Sequence, residues 1–217
     1  VGLAVVAIDF PGHGLSGGES GVIVDFSEYG AAIDGCLLAL RNVLPPTVHA
    51  VGQSTGCAAI LNYILVSRGK RFQKLVLLAP LIRPRGWLMV KMSYILFHRV
   101  LKFFPRSFSI NSHDEVFCEF LRLHDPLQPR HISVEWVGAM KKWVRAFDDY
   151  PSVDCEVLVI QGDDDGTVWW EKNVPRVQKK FPQSQLAMIE GGRHHLVKEA
   201  APWQTRVLEK VRAFLLA

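Results

Sequence analysis

Gly52-Gln53-Ser54-Thr55-Gly56 follows a strand-like run, Thr47-Val48-His49-Ala50-Val51, and precedes a helix-like one, Cys57-Ala58-Ala59-Ile60-Leu61-Asn62-Tyr63-Ile64-Leu65. A serine at the tip of a strand-to-helix turn takes up a strained backbone that throws its Oγ clear of both elements. So tight a turn predicts no room for a side chain two residues before or two after the serine, hence glycine at 52 and 56. The helix start aims its dipole and free N–H groups at the hydroxyl, and the Thr55 N–H is placed to serve as an oxyanion donor. Taken alone, the pentapeptide also fits an ordinary glycine-bracketed turn in which Ser54 caps a helix. The flanking chain separates the two readings.

Upstream, Leu3 to Phe10 is a continuous apolar run, the pattern of a parallel strand covered on both faces. It ends in the glycine-rich loop Asp9-Phe10-Pro11-Gly12-His13-Gly14-Leu15-Ser16-Gly17-Gly18. Asp25-Phe26-Ser27-Glu28 has capping-box spacing, and behind it Tyr29, Ile33, Cys36, Leu37 and Leu40 fall on one helical face. Pro45-Pro46 stops that helix. Downstream of the serine the predicted helix ends near Arg68-Gly69, and Leu75–Pro80 is a second buried strand. Strand, helix, strand, helix, strand calls for a doubly wound, mostly parallel α/β sheet.

The pattern changes from Arg83 to about Tyr150, where the text is helical and aromatic without strand alternation. In Trp87–Phe104 the residues Lys91, His98 and Lys102 share a narrow polar stripe, and charge interrupts the run too often for it to span a bilayer. An insertion with so wide an apolar face suits a lid over an apolar pocket. The domain division is therefore a core at 1–82 and 151–217 and a helical cap at 83–150. Core alternation resumes with a strand at Cys155–Gly162, a helix near Trp170–Phe181 and a strand at Gln185–Ile189. In the final helix Val207, Leu208, Val211, Phe214 and Leu215 make a single apolar face.

At 217 residues, about half of them apolar, the chain can bury a sizeable core. Its four cysteines, Cys36, Cys57, Cys118 and Cys155, are widely spaced, which favours free thiols in a reducing, cytoplasmic setting over disulfides. The chain opens without methionine, directly in a strand pattern, and reads as if it began inside a domain. Between residues 35 and 113 there is no Asp or Glu, whereas Lys and Arg number eleven. The plain reading of that excess is a solvated basic face. A sharper one is a cap surface that rests peripherally on an anionic membrane. Nucleic acid comes third, because no recognised binding module accompanies the charge.

Two further loops carry chemistry. Gly162-Asp163-Asp164-Asp165-Gly166-Thr167-Val168 follows a strand, and neighbouring carboxylates of this kind converge poorly on one metal ion. Asp163 and Asp164 read as solvated. After the last strand comes Glu190-Gly191-Gly192-Arg193-His194-His195, with histidine in a glycine-rich loop; His13, His49, His98, His113, His124 and His131 read as structural. Serine, then acid, then histidine, each after a strand of one sheet, is the Ser…Asp…His order of a single fold.

In these residues the chain resembles the α/β-hydrolase superfamily, and within it the monoacylglycerol lipase, lysophospholipase and serine-aminopeptidase-like branch. Asp9-Phe10-Pro11-Gly12-His13-Gly14-Leu15-Ser16 is similar to that branch's D-x-x-G-H-G-x-S loop. Gly162-x-x-Asp165-x-x-Val168 is similar to its acid loop and selects Asp165, and Gly191-Gly192-Arg193-His194 is similar to its histidine loop and selects His194. The resemblance implies a serine hydrolase that cleaves a lipid-like carboxylic ester through an acyl-enzyme, on Ser54, His194 and Asp165, without metal or organic cofactor. It also implies three strands and a His-Gly loop, the source of a second oxyanion donor, ahead of the point where this sequence begins. The chain as given is then expected to be a fragment with a gapped or rearranged sheet. A peptidase or thioesterase on the same residues, and a lipid-binding module with an inert site, are the alternatives. Aspartate-dependent dehalogenase or epoxide-hydrolase chemistry is disfavoured by serine at the elbow.

Overall fold

The computed structural model describes residues 3–67, 71–106 and 108–217. The first two residues and the expected helix end at Arg68-Gly69 lie outside them. Four strands form one sheet, β1 (Val48–Gln53), β2 (Phe72–Leu78), β5 (Glu156–Gly162) and β6 (Gln185–Ile189), in the order β1-β2-β5-β6. Every neighbouring pair is parallel, with Gln53 beside Leu78, Leu78 beside Ile160 and Gly162 beside Ile189. All four C-terminal ends therefore share one rim.

Alternation along the strands divides the core. Leu75, Leu77, Val157 and Val159 pack in one cluster with α1 (Ser27–Ala39), α2 (Thr55–Ser67) and α6 (Trp170–Lys180). Val76, Leu78, Leu158 and Ile160 pack in the other with Val207 and Phe214 of α7 (Ala201–Leu216). Leu208, expected on the buried face of α7, is exposed. The box before α1 forms in part: Glu28 accepts the Val24 and Asp25 N–H groups, while the Asp25 carboxylate takes the Ser27 N–H, two residues on rather than three.

Leu3–Phe10 corrects the expectation most sharply. It is not a strand, and Val5 is 87% exposed. A buried parallel strand needs partners for its backbone groups and cover on both faces; among the described residues no strand pairs with this segment, and only Phe10 at its end packs on the core, against Tyr29. β1 consequently stands at the edge of the sheet.

The insertion between β2 and β5 is not wholly helical either. It holds α3 (Trp87–Phe97), β3 (Phe103–Pro105), α4 (Glu115–Glu119), a π-helical turn at Phe120–His124, β4 (His131–Ser133) and α5 (Val134–Phe147). β3 and β4 pair as a short antiparallel ribbon, too brief for alternation to reveal in the sequence. The Ser133 hydroxyl caps α5 by accepting the Trp136 N–H. This helix buries Val137, Met140, Trp143 and Phe147, with Trp143 stacked on Phe26 at 5.7 Å. Lys180 Nζ donates to the Asp148 and Tyr150 carbonyls just past α5, and Arg176 pairs with Asp148. α3 is different. Trp87 is its one buried residue, and Leu88, Met89, Met92, Ile95 and Leu96 face solvent.

That contrast makes a stability prediction. Phe147→Ala should lower unfolding free energy by about 3–5 kcal/mol, the usual cost of emptying an aromatic core site. Leu88→Ala, at 70% exposure, should stay within about 0.5 kcal/mol of the parent chain. Urea unfolding of the two variants checks both; equal losses would show that α5 is not part of the core.

Candidate active site

Ser54 sits between β1 and α2 with φ 52°, a left-handed conformation that costs a non-glycine residue on the order of 1–2 kcal/mol. The surrounding backbone holds it there. Its N–H donates to Leu78 O, and its carbonyl accepts from Cys57, Ala58 and Leu81. A Cβ on Gly52 would lie 2.7 Å from both the Gly56 carbonyl carbon and Ile60 Cδ1, so glycine there is obligatory. Gly56 departs from expectation: a Cβ at that position meets nothing within 4 Å. Thr55 opens α2, so its N–H is one of the donors a helix start leaves without an intrahelical partner.

The other two loops rise from the same rim. Asp165 follows β5 and His194 follows β6, and both are buried. His194 Nδ1 lies 2.8 Å from Asp165 Oδ2, and His194 Nε2 lies 2.9 Å from Ser54 Oγ. A carboxylate on one side and a hydroxyl on the other fix the tautomer, with Nδ1–H donating to the acid and Nε2 accepting from the serine. Asp165 receives three more bonds, from Gln161 Nε2 to Oδ2 and from the Thr167 and Val168 N–H groups to Oδ1. Burial alone would raise its pKa; the hydrogen bond and attraction of His194, with the two backbone donors, outweigh burial and hold it below the usual carboxylate value. The acid is thus ionised, oriented and dry.

Several contributors were invisible in the sequence. Gln53, within the turn, donates from Nε2 to His195 Nδ1 at 3.2 Å and accepts the Val197 N–H on Oε1, joining the serine loop to the histidine loop. Asp163 and Asp164 are not merely solvated. Asp163 Oδ1 accepts the Gly191 N–H, and Asp164 Oδ2 pairs with Arg193 Nε at 3.1 Å, so both tie the acid loop to the histidine loop. A Cβ on Gly162 would fall 2.1 Å from Gly192 O, which shows how closely those loops pack. Adjacent carboxylates look alike in a sequence; only the opposing loop tells them apart. His13 bonds Tyr29 OH, which also receives Trp136 Nε1, linking the glycine-rich loop to the insertion. Among the described residues no group of His, Cys, Asp and Glu is arranged to hold a metal ion, and all four cysteines are free thiols.

A parallel sheet between helices, with serine, acid and histidine on loops of one rim, defines an α/β-hydrolase. Residues 1–201 match the Hydrolase_4 family, serine aminopeptidase S33, and the chain belongs to it. It is 28% identical to a Synechocystis protein named "Putative non-heme chloroperoxidase", over 89% of this chain and 75% of that one. Among solved structures it resembles the monoacylglycerol lipase of Paleococcus ferrophilus (TM-score 0.77, 19% identity, 95% of this chain and 80% of that one). It also resembles a soluble variant of the monoglyceride lipase of Saccharomyces cerevisiae (TM-score 0.78, 18% identity, 95% and 75%). At such identities the likeness is one of fold.

Two outcomes follow from this geometry. Gly52→Ala forces backbone movement and should cost about 1–3 kcal/mol, with loss of the turn. Gly56→Ala should leave stability equal or raised, alanine being the better helix former by up to about 1 kcal/mol; thermal melts of the pair decide. The second concerns pH. Burial, reinforced by the His194 and Arg106 charges, pushes His195 down to about 4. The unfolded chain titrates it near ~6.5, so between about 6.5 and 4 the unfolded state binds the extra proton. Stability from neutral His195 is complete above that window and is lost as pH falls through it. His195→Asn, which keeps an acceptor for Gln53, should flatten the fall of the urea midpoint between about pH 7 and 4.5; an unchanged slope would assign that fall to other groups.

Proposed function

We propose that this chain is a serine hydrolase that cleaves a carboxylic ester of a lipid-like substrate, of the monoacylglycerol or lysophospholipid type, through an acyl-enzyme. The observation that carries the reading is the unbroken line of hydrogen bonds from Ser54 Oγ through His194 to Asp165. As Ser54 Oγ attacks the carbonyl, its proton passes to His194 Nε2, and Asp165 stabilises the resulting imidazolium without taking the proton. The tetrahedral oxyanion is met by the Thr55 N–H and by the positive end of α2. His194 returns the proton to the leaving alcohol, leaving an ester on Ser54. Water then attacks this ester by the same route, giving carboxylic acid and free serine. No step calls on a metal or organic cofactor.

The lipid-like substrate class draws support from two lipase neighbours of the same fold and from the apolar insertion above the rim. Segment 83–150 then acts as the cap. The exposed apolar face of α3, flanked by the exposed Lys91, Arg99 and Lys102, gives that cap a surface for peripheral contact with anionic lipid. Among the described residues no helix is long and apolar enough to cross a membrane. The family description, serine aminopeptidase, favours a second reading in which the same three residues open an amide.

A fluorophosphonate probe should label the parent chain at Ser54 and leave Ser54→Ala unlabelled. The same substitution should lower kcat by several orders of magnitude on p-nitrophenyl esters. A lipid-binding module with an inert site would stay unlabelled throughout. A panel of medium- and long-chain esters, lysophospholipid and aminoacyl amides separates the ester reading from the amide one, and turnover confined to amides would overturn the first.

A further inference from the structure

Midway along the insertion, Asn111–Asp114 touches the core, and this short segment reaches both loops that carry the proposed acid and base. Asn111 O accepts the His195 N–H at 2.9 Å, and Asn111 Oδ1 accepts from Thr167 Oγ1, two residues past Asp165. Ser112 is wholly buried; its hydroxyl donates to Lys198 O at 2.6 Å, and its carbonyl accepts from Arg193 Nη1. Beneath them lies Glu199, 2% exposed. Its Oε1 accepts the Arg193 N–H at 2.7 Å and its Oε2 the His113 N–H at 2.7 Å, with Ser112 Oγ and His113 Nδ1 each 3.2 Å from Oε2. The His113 ring stacks on Trp203 of α7 at 4.1 Å, which closes the other side.

One carboxylate therefore holds the Gly192–Arg193 peptide unit, one residue before His194, with one oxygen and the His113 N–H of the insertion with the other. No step of the proposed chemistry uses it. A buried acid is costly unless its lone pairs are occupied, and here the donors come from two separate pieces of chain. Its backbone donors more than offset burial and hold its pKa below the ordinary value, so it remains an acceptor at neutral pH.

We infer that Glu199 is a positioning residue that fixes the His194 loop to the insertion, so that the alignment of the imidazole with Ser54 depends on where the insertion sits. The inference rests on the hydrolase reading for its kinetic consequence, but not for its structural one. Anything that shifts residues 111–114 is then felt at Nε2. A neutral amide at 199 can accept at one end only, and its NH2 must face an N–H donor at the other. Misplacing a reacting group by about 1 Å can cost on the order of 10²-fold in rate.

The test compares the parent chain with Glu199→Gln, Ser112→Ala and the double variant, each first checked for folding by circular dichroism. Two readouts are taken: kcat and KM on a short, soluble p-nitrophenyl ester, and the downfield imidazole proton shared by His194 and Asp165 in 15N-histidine NMR. Glu199→Gln should lower kcat about 10²-fold at unchanged KM and broaden the shared proton by exchange. Ser112→Ala should shift both readouts in the same direction by less. The double variant should fall no further than Glu199→Gln, because both act through one contact. An unchanged proton signal in Glu199→Gln, or losses that multiply in the double variant, would overturn the coupling. A parent chain inert to ester and fluorophosphonate would defeat the hydrolase reading alone, and the proton signal would still decide the role of Glu199.

Discussion

The structure depends on one strained peptide turn. Ser54 keeps a left-handed backbone because Leu78 O takes its N–H and three amides converge on its carbonyl, while Gly52 leaves room for the α2 backbone to pass. Cys57 adds its thiol, which reaches the Gly52 and Leu78 carbonyls from inside the core. These contacts come from α2, from the end of β2 and from Leu81 just past it, and so presuppose the parallel register of the sheet. Backbone strain at a non-glycine residue persists only where its surroundings over-determine it, and here they do. Ala79, the other non-glycine residue with positive φ among the described residues, lies at the same rim past β2, where the chain leaves for the insertion.

Above the rim, polar contacts between loops take over from hydrophobic packing. Gln53, Asp163, Asp164, Arg193 and Glu199 each connect one loop to another. None need touch a substrate. Their combined effect is to remove freedom from three loops that would otherwise move independently, so that Oγ, Nε2 and the acid meet without reorganisation. A network of this sort is as sensitive as it is stiff, since a buried partner left unpaired costs about 1–3 kcal/mol.

Much of this was legible beforehand, for reasons that can be named. Apolar runs mark β2 from Leu75 onward and β5 from Val157 onward because both faces are buried there, with charge confined to the strand starts at Lys74 and Glu156. Serine, acid and histidine stood out because each follows a strand and a parallel sheet collects strand ends. The failures have equally physical origins. Leu3–Phe10 reads as a strand, but pairing is a property of a neighbour and not of the segment. The β3–β4 ribbon spans three residues a side, too few for a period of two to register. Glu199 sits where α7 begins, a place at which a glutamate needs no reason beyond the helix dipole, and only the fold brings His113 to it. The tightness of the turn predicts crowding at both Gly52 and Gly56, yet only Gly52 faces the backbone of α2, and Gly56 faces open space.

The position of β1 carries its own consequence. A terminal strand presents half its amide and carbonyl groups outward, unclaimed by β2, and Val51 adds an apolar side chain at the surface. Such a margin is a template on which any extended chain, including another molecule of the same kind, can lay down hydrogen bonds. Among the described residues, self-association by strand addition is thus seeded along the flank of the sheet, away from the rim that carries Ser54, Asp165 and His194.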